Sequence, residues 1–358
     1  MIRHSIFKFF NNLTLGKLII LFFLIFSIAY IIFRSFISPS SVNNLSYSNN
    51  NFSVLGMNIP THLDFCGEKI PSNNFAISKS LEKEFFTDKY WKTNSRALFL
   101  KAQKWFPYIE PILKKNGVPD DFKYVAFIES HLSNIKSPAG AAGFWQLIPS
   151  TARKYGLEVN EYIDERYHVE KSTEAACKLI KEAHKVFNNW TLAAAAYNRG
   201  IGGIQKALKV QNAESYYQLL LNNETGSFVY RILAYKTLFS SPKHFDIKLK
   251  KWKYLSLMEL KQIKIDSSVQ SISSLSKHIR VNNTVIKLFN PWILSDALPN
   301  PDQKLYIIRV PKNEKRDYSS YLRDLYGEDG RLNYDAKTQE EDSIPESLNI
   351  TDSLQIEH

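Results

Sequence analysis

Asp121-Phe-Lys-Tyr-Val-Ala-Phe-Ile-Glu-Ser130, and seven residues later Ser137-Pro-Ala-Gly-Ala-Ala-Gly-Phe-Trp-Gln-Leu147, decide the fold. The first stretch is apolar nearly all round (Phe122, Tyr124, Val125, Ala126, Phe127, Ile128), which is the pattern of a buried helix. The second carries Pro138, Gly140 and Gly143, with Pro149 just beyond, so residues 134–149 read as a loop. Glu129 falls where the buried helix meets that loop. Its carboxyl is expected in a cleft wall, where desolvation raises a carboxyl pKa toward that of a general acid for a glycosidic oxygen. The plain alternative is a helix-terminal Glu that reaches solvent.

Working outward, Leu98, Ala102, Trp105 and Ile109 recur at helical spacing, an amphipathic face expected to end near Pro111. Ile112 to Asn116 then reads as a separate short helix stopped by Gly117. Further helices are expected over Ser150–Tyr155, Ser172–Phe187, Trp190–Tyr197 and Thr225–Phe239. No period-2 strand stands out between 81 and 240, so this part is mainly α. From Tyr254 the texture changes: a strand over Ile263–Asp266, helical stretches over Ser271–Ile279 and Thr284–Phe289, and a strand over Leu305–Val310 predict a small β-α-α-β unit.

Around the loop the residue types suit a sugar. The glycines allow close backbone approach, Phe144 and Trp145 offer flat apolar faces, and Gln146 supplies both donor and acceptor. The alternative is a surface loop whose aromatics tuck into the core. In Trp190-Thr-Leu-Ala-Ala-Ala-Ala-Tyr-Asn-Arg-Gly200 the alanines permit tight helix packing, and Gly200 suits a C-cap that leaves Tyr197 and Asn198 at the helix end. A Tyr hydroxyl there is placed to bond a catalytic carboxyl; otherwise it is an interface tyrosine beside a capping Asn.

Glu129-Ser130, Gly143-Phe-Trp-Gln-Leu147 and Ala196-Tyr-Asn-Arg-Gly200 together resemble, in order and spacing, the motifs of family 1 lytic transglycosylases, peptidoglycan-cleaving relatives of goose-type lysozyme. The Phe-Trp form and Asp164-Glu-Arg166 resemble the membrane-bound D branch. The resemblance covers roughly residues 90–245. It implies a lysozyme-like helical catalytic domain with a glycan groove, in which Glu129 alone serves as acid and then base. It further implies that Ser130 orients substrate or Glu129, that Gly143, Phe144, Trp145 and Gln146 line the sugar site, and that Tyr197 and Asn198 hold the acid and the N-acetyl group. The motifs carry no second carboxylate of the kind retaining or inverting glycosidases use. Asp164 and Glu165 are the nearest candidates, but Arg166 beside them favours a structural ion pair. No metal or cofactor is called for. One departure stands out: where the family has Tyr after Glu-Thr, this chain has Phe228, and Tyr230 lies about 200° further round the helix. Residues 266–310 resemble a degenerate LysM module without its Gly-Asp-Thr opening; sugar binding and a packing role both remain open for it.

Charge fits that partner. The net +11 combines +4 on residues 1–37 and −5 on residues 331–358, which leaves +12 on the body between them. Leu18 to Phe33 is apolar apart from Ser27 and Tyr30, is bracketed by Lys17 and Arg34, and with its extension to residue 37 just reaches bilayer length. The expected order is a basic cytoplasmic end (1–17), a signal anchor (18–37), a stalk and extended linker (38–80), the catalytic domain (81–245), the small unit (254–312) and an acidic disordered tail (313–358). Ser27-Ile28-Ala29 as a cleavage site is the alternative to a retained anchor. Either way the body is exported, to the periplasmic face of the inner membrane. That excludes nucleic acid as its partner and favours peptidoglycan strands. The function expected is non-hydrolytic cleavage of the MurNAc-GlcNAc β-1,4 bond, leaving 1,6-anhydro ends. A muramidase hydrolase on the same fold and a peptidoglycan-binding scaffold are the alternatives. Cys66 and Cys177 form no metal-binding motif, and their pairing is left open.

Overall fold

The computed structural model describes residues 51–312 apart from 55–56, 61–62, 88, 241 and 243–259. The anchor expected at 18–37, most of the stalk and the acidic tail from 313 lie outside the described residues. Among the described residues no helix is long and apolar enough to cross a membrane. The chain divides into two units, Met1–Phe52 and Ser53–His358, and the candidate site lies in the second.

That unit is mainly helical, as the periodicity predicts. Its helices are α1 (Phe75–Thr87), α2 (Lys89–Lys115), α3 (Lys123–Ser130), α4 (Pro149–Lys154), α5 (Val169–Phe187), α6 (Trp190–Arg199), α7 (Ile201–Gln211) and α8 (Asn223–Ser240). A 3-10 turn, Asp120–Phe122, leads into α3. Helix α6 sits at the centre, against α5, α7 and α8. Ala193 to Ala196 are at most 1% exposed, so the alanine run does bring neighbouring backbones close. Asn189 caps the start of α6 by accepting from the Leu192 amide at 2.8 Å. At the other end Gly200, at φ 84°, donates back to the Ala196 carbonyl at 2.8 Å. The expected cap is there, and α7 starts immediately after it.

Three expectations are corrected. Helix α2 runs unbroken through Pro107 and Pro111 instead of ending near Pro111. Both prolines face solvent, four residues apart, while Ile109 and Leu113 on the opposite face are fully buried. Packing of that face outweighs the hydrogen bonds the prolines forgo. Helix α7 was not anticipated, because Gly202 and Gly203 weaken its pattern. The stretch 63–80 is no linker: β1 (Asp64–Phe65) and β2 (Glu68–Lys69) form an antiparallel hairpin, and α1 begins at Phe75. Phe65 is fully buried, 5.3 Å from the Phe122 ring, and Ile77, Leu81 and Phe85 are buried as well.

The C-terminal β-α-α-β unit is present as expected, with β3 (Leu260–Ile265), α9 (Ile272–Ile279), α10 (Asn283–Phe289) and β4 (Tyr306–Pro311). The strands are antiparallel, with Ile263 opposite Ile308. Its core of Ile272, Ile286, Trp292, Leu298, Ile308 and Val310 also takes in Ile163, from the segment between α4 and α5.

Candidate active site

Helix α3 stops abruptly. His131 adopts a left-handed conformation and its amide donates to the Phe127 carbonyl at 2.7 Å; Leu132, also left-handed, continues the turn. Glu129 is thereby left half-buried in the last turn. Burial pushes its carboxyl up to about 7. Two side chains of α8 act on it in opposite senses: the Arg231 guanidinium favours its charged form and the Glu224 carboxylate disfavours it. Arg231 lies 5.8 Å from the Phe228 ring, and its Nε is buried without a hydrogen-bond partner.

The loop after α3 is held from several sides. Ser130 Oγ, buried, donates to the Phe144 carbonyl at 2.9 Å and bonds the Ala126 carbonyl at 3.1 Å. Gly143 has φ 75°, and a Cβ built there would come within 1.9 Å of the Arg166 carbonyl oxygen, so only glycine fits. Gln146, itself at φ 43°, donates through Nε2 to the Gly143 and Ile135 carbonyls at 2.7 and 3.1 Å. The Tyr197 hydroxyl donates to the Trp145 carbonyl at 2.5 Å.

These contacts revise the roles expected of several residues. Phe144 and Trp145 do not present their rings to a sugar: they are 2% and 0% exposed. Phe144 meets Trp105 edge-on at 4.9 Å, and Trp145 Nε1 donates to Thr173 Oγ1 at 2.9 Å. Burial is favoured because each ring removes a large apolar area from water and the indole N–H still finds a partner. Tyr197 lies close enough to Glu129 for the carboxylate to help hold its phenol protonated, but the hydroxyl's bond goes to the loop backbone. Asn198 bridges to α8, donating to Glu224 at 3.0 Å and accepting from Thr225 Oγ1 at 2.8 Å. Tyr230 packs against the Tyr216 and Tyr217 rings, and Phe228 is 1% exposed.

Behind the loop, the Asp164–Arg166 pair is a two-pronged, fully buried salt bridge, Nε to Oδ1 at 2.8 Å and Nη2 to Oδ2 at 2.6 Å. Arg166 Nη1 also donates to the Gly140 and Leu147 carbonyls, at 2.6 and 3.0 Å. Glu165 stands outside that pair; it accepts from the Glu158 amide and from Lys171. Sequence reasoning missed Glu224 and Arg231 as neighbours of Glu129. The signal was available: 224, 228 and 231 share one face of a helix. Among the described residues no group of three or more His, Cys, Asp or Glu is placed to hold a metal ion.

Residues 107–220 match the family described as "Transglycosylase SLT domain", and residues 261–314 match the "Soluble lytic transglycosylase C-terminal LysM-like domain". Membrane-bound lytic murein transglycosylase D of Escherichia coli K12 is 34% identical over 156 residues, which is 42% of this chain and 34% of that protein. The chain thus spans about a third of the length of that relative. Among solved structures, an inactive mutant of lytic transglycosylase Slt from Pseudomonas aeruginosa shares 23% identity over 40% of this chain and 24% of its own, with a TM-score of 0.33. The 70 kDa soluble lytic transglycosylase of E. coli shares 20% identity over 41% and 26%, also with a TM-score of 0.33. The resemblance read from the motifs is therefore shown, over residues 107–220 of the helical domain and over the small C-terminal unit.

Proposed function

We propose that the protein is a lytic transglycosylase that cleaves the MurNAc-GlcNAc bond of peptidoglycan and leaves 1,6-anhydro ends. The observation that carries this reading is Glu129, a half-buried carboxyl raised to about 7 and flanked by Arg231 and Glu224. Such a group is divided between its protonated and charged forms near neutral pH, so it can give a proton to the glycosidic oxygen and afterwards take one back. With the proton given up, the N-acetyl carbonyl of the substrate stabilises the developing cation. Glu129, now charged and favoured by Arg231, takes the proton of the 6-hydroxyl as that oxygen closes on the anomeric carbon. No water is consumed. Ser130, Gly143, Gln146 and Tyr197 serve by fixing the loop backbone beside Glu129, and Asn198 ties the end of α6 to α8. The substrate is the glycan strand of the cell wall. The place of action is the outer side of the inner membrane, with residues 18–37 as the anchor.

The test is the mass of the muropeptides released from purified sacculi. The unaltered chain should yield anhydro products lighter by one water than hydrolytic ones, and Glu129→Gln should yield none. Reducing-end muramic products would overturn the chemistry. One observation favours hydrolysis as a second reading: Glu224 puts another carboxylate within electrostatic reach of Glu129. That reading requires Glu224→Gln to abolish turnover, whereas the transglycosylase reading needs Glu224 only to tune Glu129.

A further inference from the structure

Among the described residues the C-terminal unit is bonded to the catalytic domain along residues 158–170, and the same segment supports the loop beside Glu129. On its outer side Ile163 forms an antiparallel bridge with Ile293 and is 1% exposed inside the C-terminal core. The Asp164 amide donates to the Trp292 carbonyl at 2.9 Å, and the Leu294 amide donates to the Tyr162 carbonyl at 2.9 Å. The Trp292 ring lies between His168 and Tyr306, with centroids 5.9 and 5.8 Å away. Polar contacts close the rim: Tyr306 donates to Glu158 at 3.0 Å, and Arg309 pairs with Glu170. On its inner side the segment carries the Asp164–Arg166 pair, which grips Gly140 and Leu147, and the Arg166 carbonyl that admits only glycine at 143.

A module that merely tethers glycan needs no such continuity. Five consecutive residues of the segment, 162–166, are bonded to the C-terminal unit at one end and to the loop backbone at the other. We infer that the C-terminal unit is a fixed support of the Gly140–Leu147 loop, with Trp292 as a positioning residue that acts on catalysis through Asp164 and Arg166. This inference rests on the functional reading above. In that light the small unit sets turnover, because misplacing the loop by even a fraction of an ångström moves it relative to Glu129.

The test uses the full chain. Trp292→Ala should lower kcat on purified sacculi about ten- to a hundredfold, the scale of a small displacement at a reacting centre. Binding to insoluble sacculi, measured by pelleting in a Glu129→Gln background that leaves the polymer intact, should hold. The amides of Gly143 and Gln146 should exchange faster with deuterium, and Trp292→Phe should restore both readouts. Leu298→Ala opens a cavity in the same core at a residue whose backbone pairs with Val269 and not with segment 158–170, and should leave kcat within about threefold, which separates support of the loop from general stability. The inference falls if Trp292→Ala raises KM and weakens sacculus binding at unchanged kcat, the signature of a sugar-binding module. It also falls if Leu298→Ala costs as much as Trp292→Ala. If the unaltered chain releases no anhydro product, the functional reading fails instead, and the exchange measurement still reports on the support.

Discussion

Gly143 and the Arg166 carbonyl are in such close register that a single added carbon at 143 would stand 1.9 Å from that oxygen. Neither partner is free to yield. Gly143 is at φ 75°, and Arg166 is locked by its bonds to Asp164, Gly140 and Leu147. Gly143→Ala should therefore cost about 3 kcal/mol or more, combining backbone strain with overpacking, and should abolish measurable turnover. Thermal unfolding and muropeptide release check both parts.

The buried ion pair makes a second prediction. Arg166→Met leaves Asp164 charged and unpaired in the interior, and should lower stability by about 3–5 kcal/mol. Arg166→Lys should recover little of it, since an ammonium cannot reproduce the two-pronged contact while also holding Gly140 and Leu147. Denaturant midpoints of the two variants are the measurement.

Glu129 links pH to stability with a definite sign. Its folded carboxyl titrates near 7, above the ordinary value of 4.5, so the folded state binds the proton more tightly than the unfolded one. Relative to a neutral side chain, stability is fully kept below about pH 4.5 and is lost as pH rises through about 7. Glu129→Gln should match the parent at pH 4 and exceed it above pH 7 by about 1–3 kcal/mol. Equal unfolding curves at pH 8 would contradict this.

Arg231 and Glu224 should move the pH profile of turnover in opposite directions. Removing the guanidinium (Arg231→Met) withdraws stabilisation of the charged carboxyl and should shift the loss of activity to higher pH. Glu224→Gln removes a repelling charge and should shift it lower. Tyr197, the other titratable neighbour, stays neutral throughout this range because burial holds its phenol far above 10. Rate–pH curves for the pair decide the matter.

Cys66 and Cys177 are both free thiols in the fold, with Cys177 in the core of α5. Their pairing was open from the sequence. The expected outcome is two titratable thiols per denatured chain and an unfolding temperature that does not respond to reductant.

What the sequence discloses and what it conceals follow from periodicity. Helices α5, α6 and α8 and the β-α-α-β unit were readable because their apolar residues recur at a fixed spacing. The hairpin at 64–69 has strands of two residues, too short for any period, and α2 hides its continuity behind solvent-facing prolines. At the site, the residue types at 129, 130, 143–146, 197 and 198 were conspicuous, but their directions were not. Nothing in Gly-Phe-Trp-Gln says that the rings turn inward, or that the Tyr197 hydroxyl meets a backbone carbonyl. Those outcomes depend on Thr173, Trp105 and Arg166, which are distant in the chain and meet the loop only after folding.

The hairpin has a consequence for the order in which the domain assembles. Glu68 accepts from the Trp190 and Thr191 amides at the start of α6, across 122 and 123 positions, and Lys236 donates to Asp64 across 172. Asp121, which also binds Lys236, accepts from the Cys66 amide. A chain made from its N-terminus exposes Asp64 and Glu68 long before α6 and α8 exist. Closing loops of that length is entropically slow, so the hairpin should dock among the last events of folding. The first-made residues of the domain are then its final clasp.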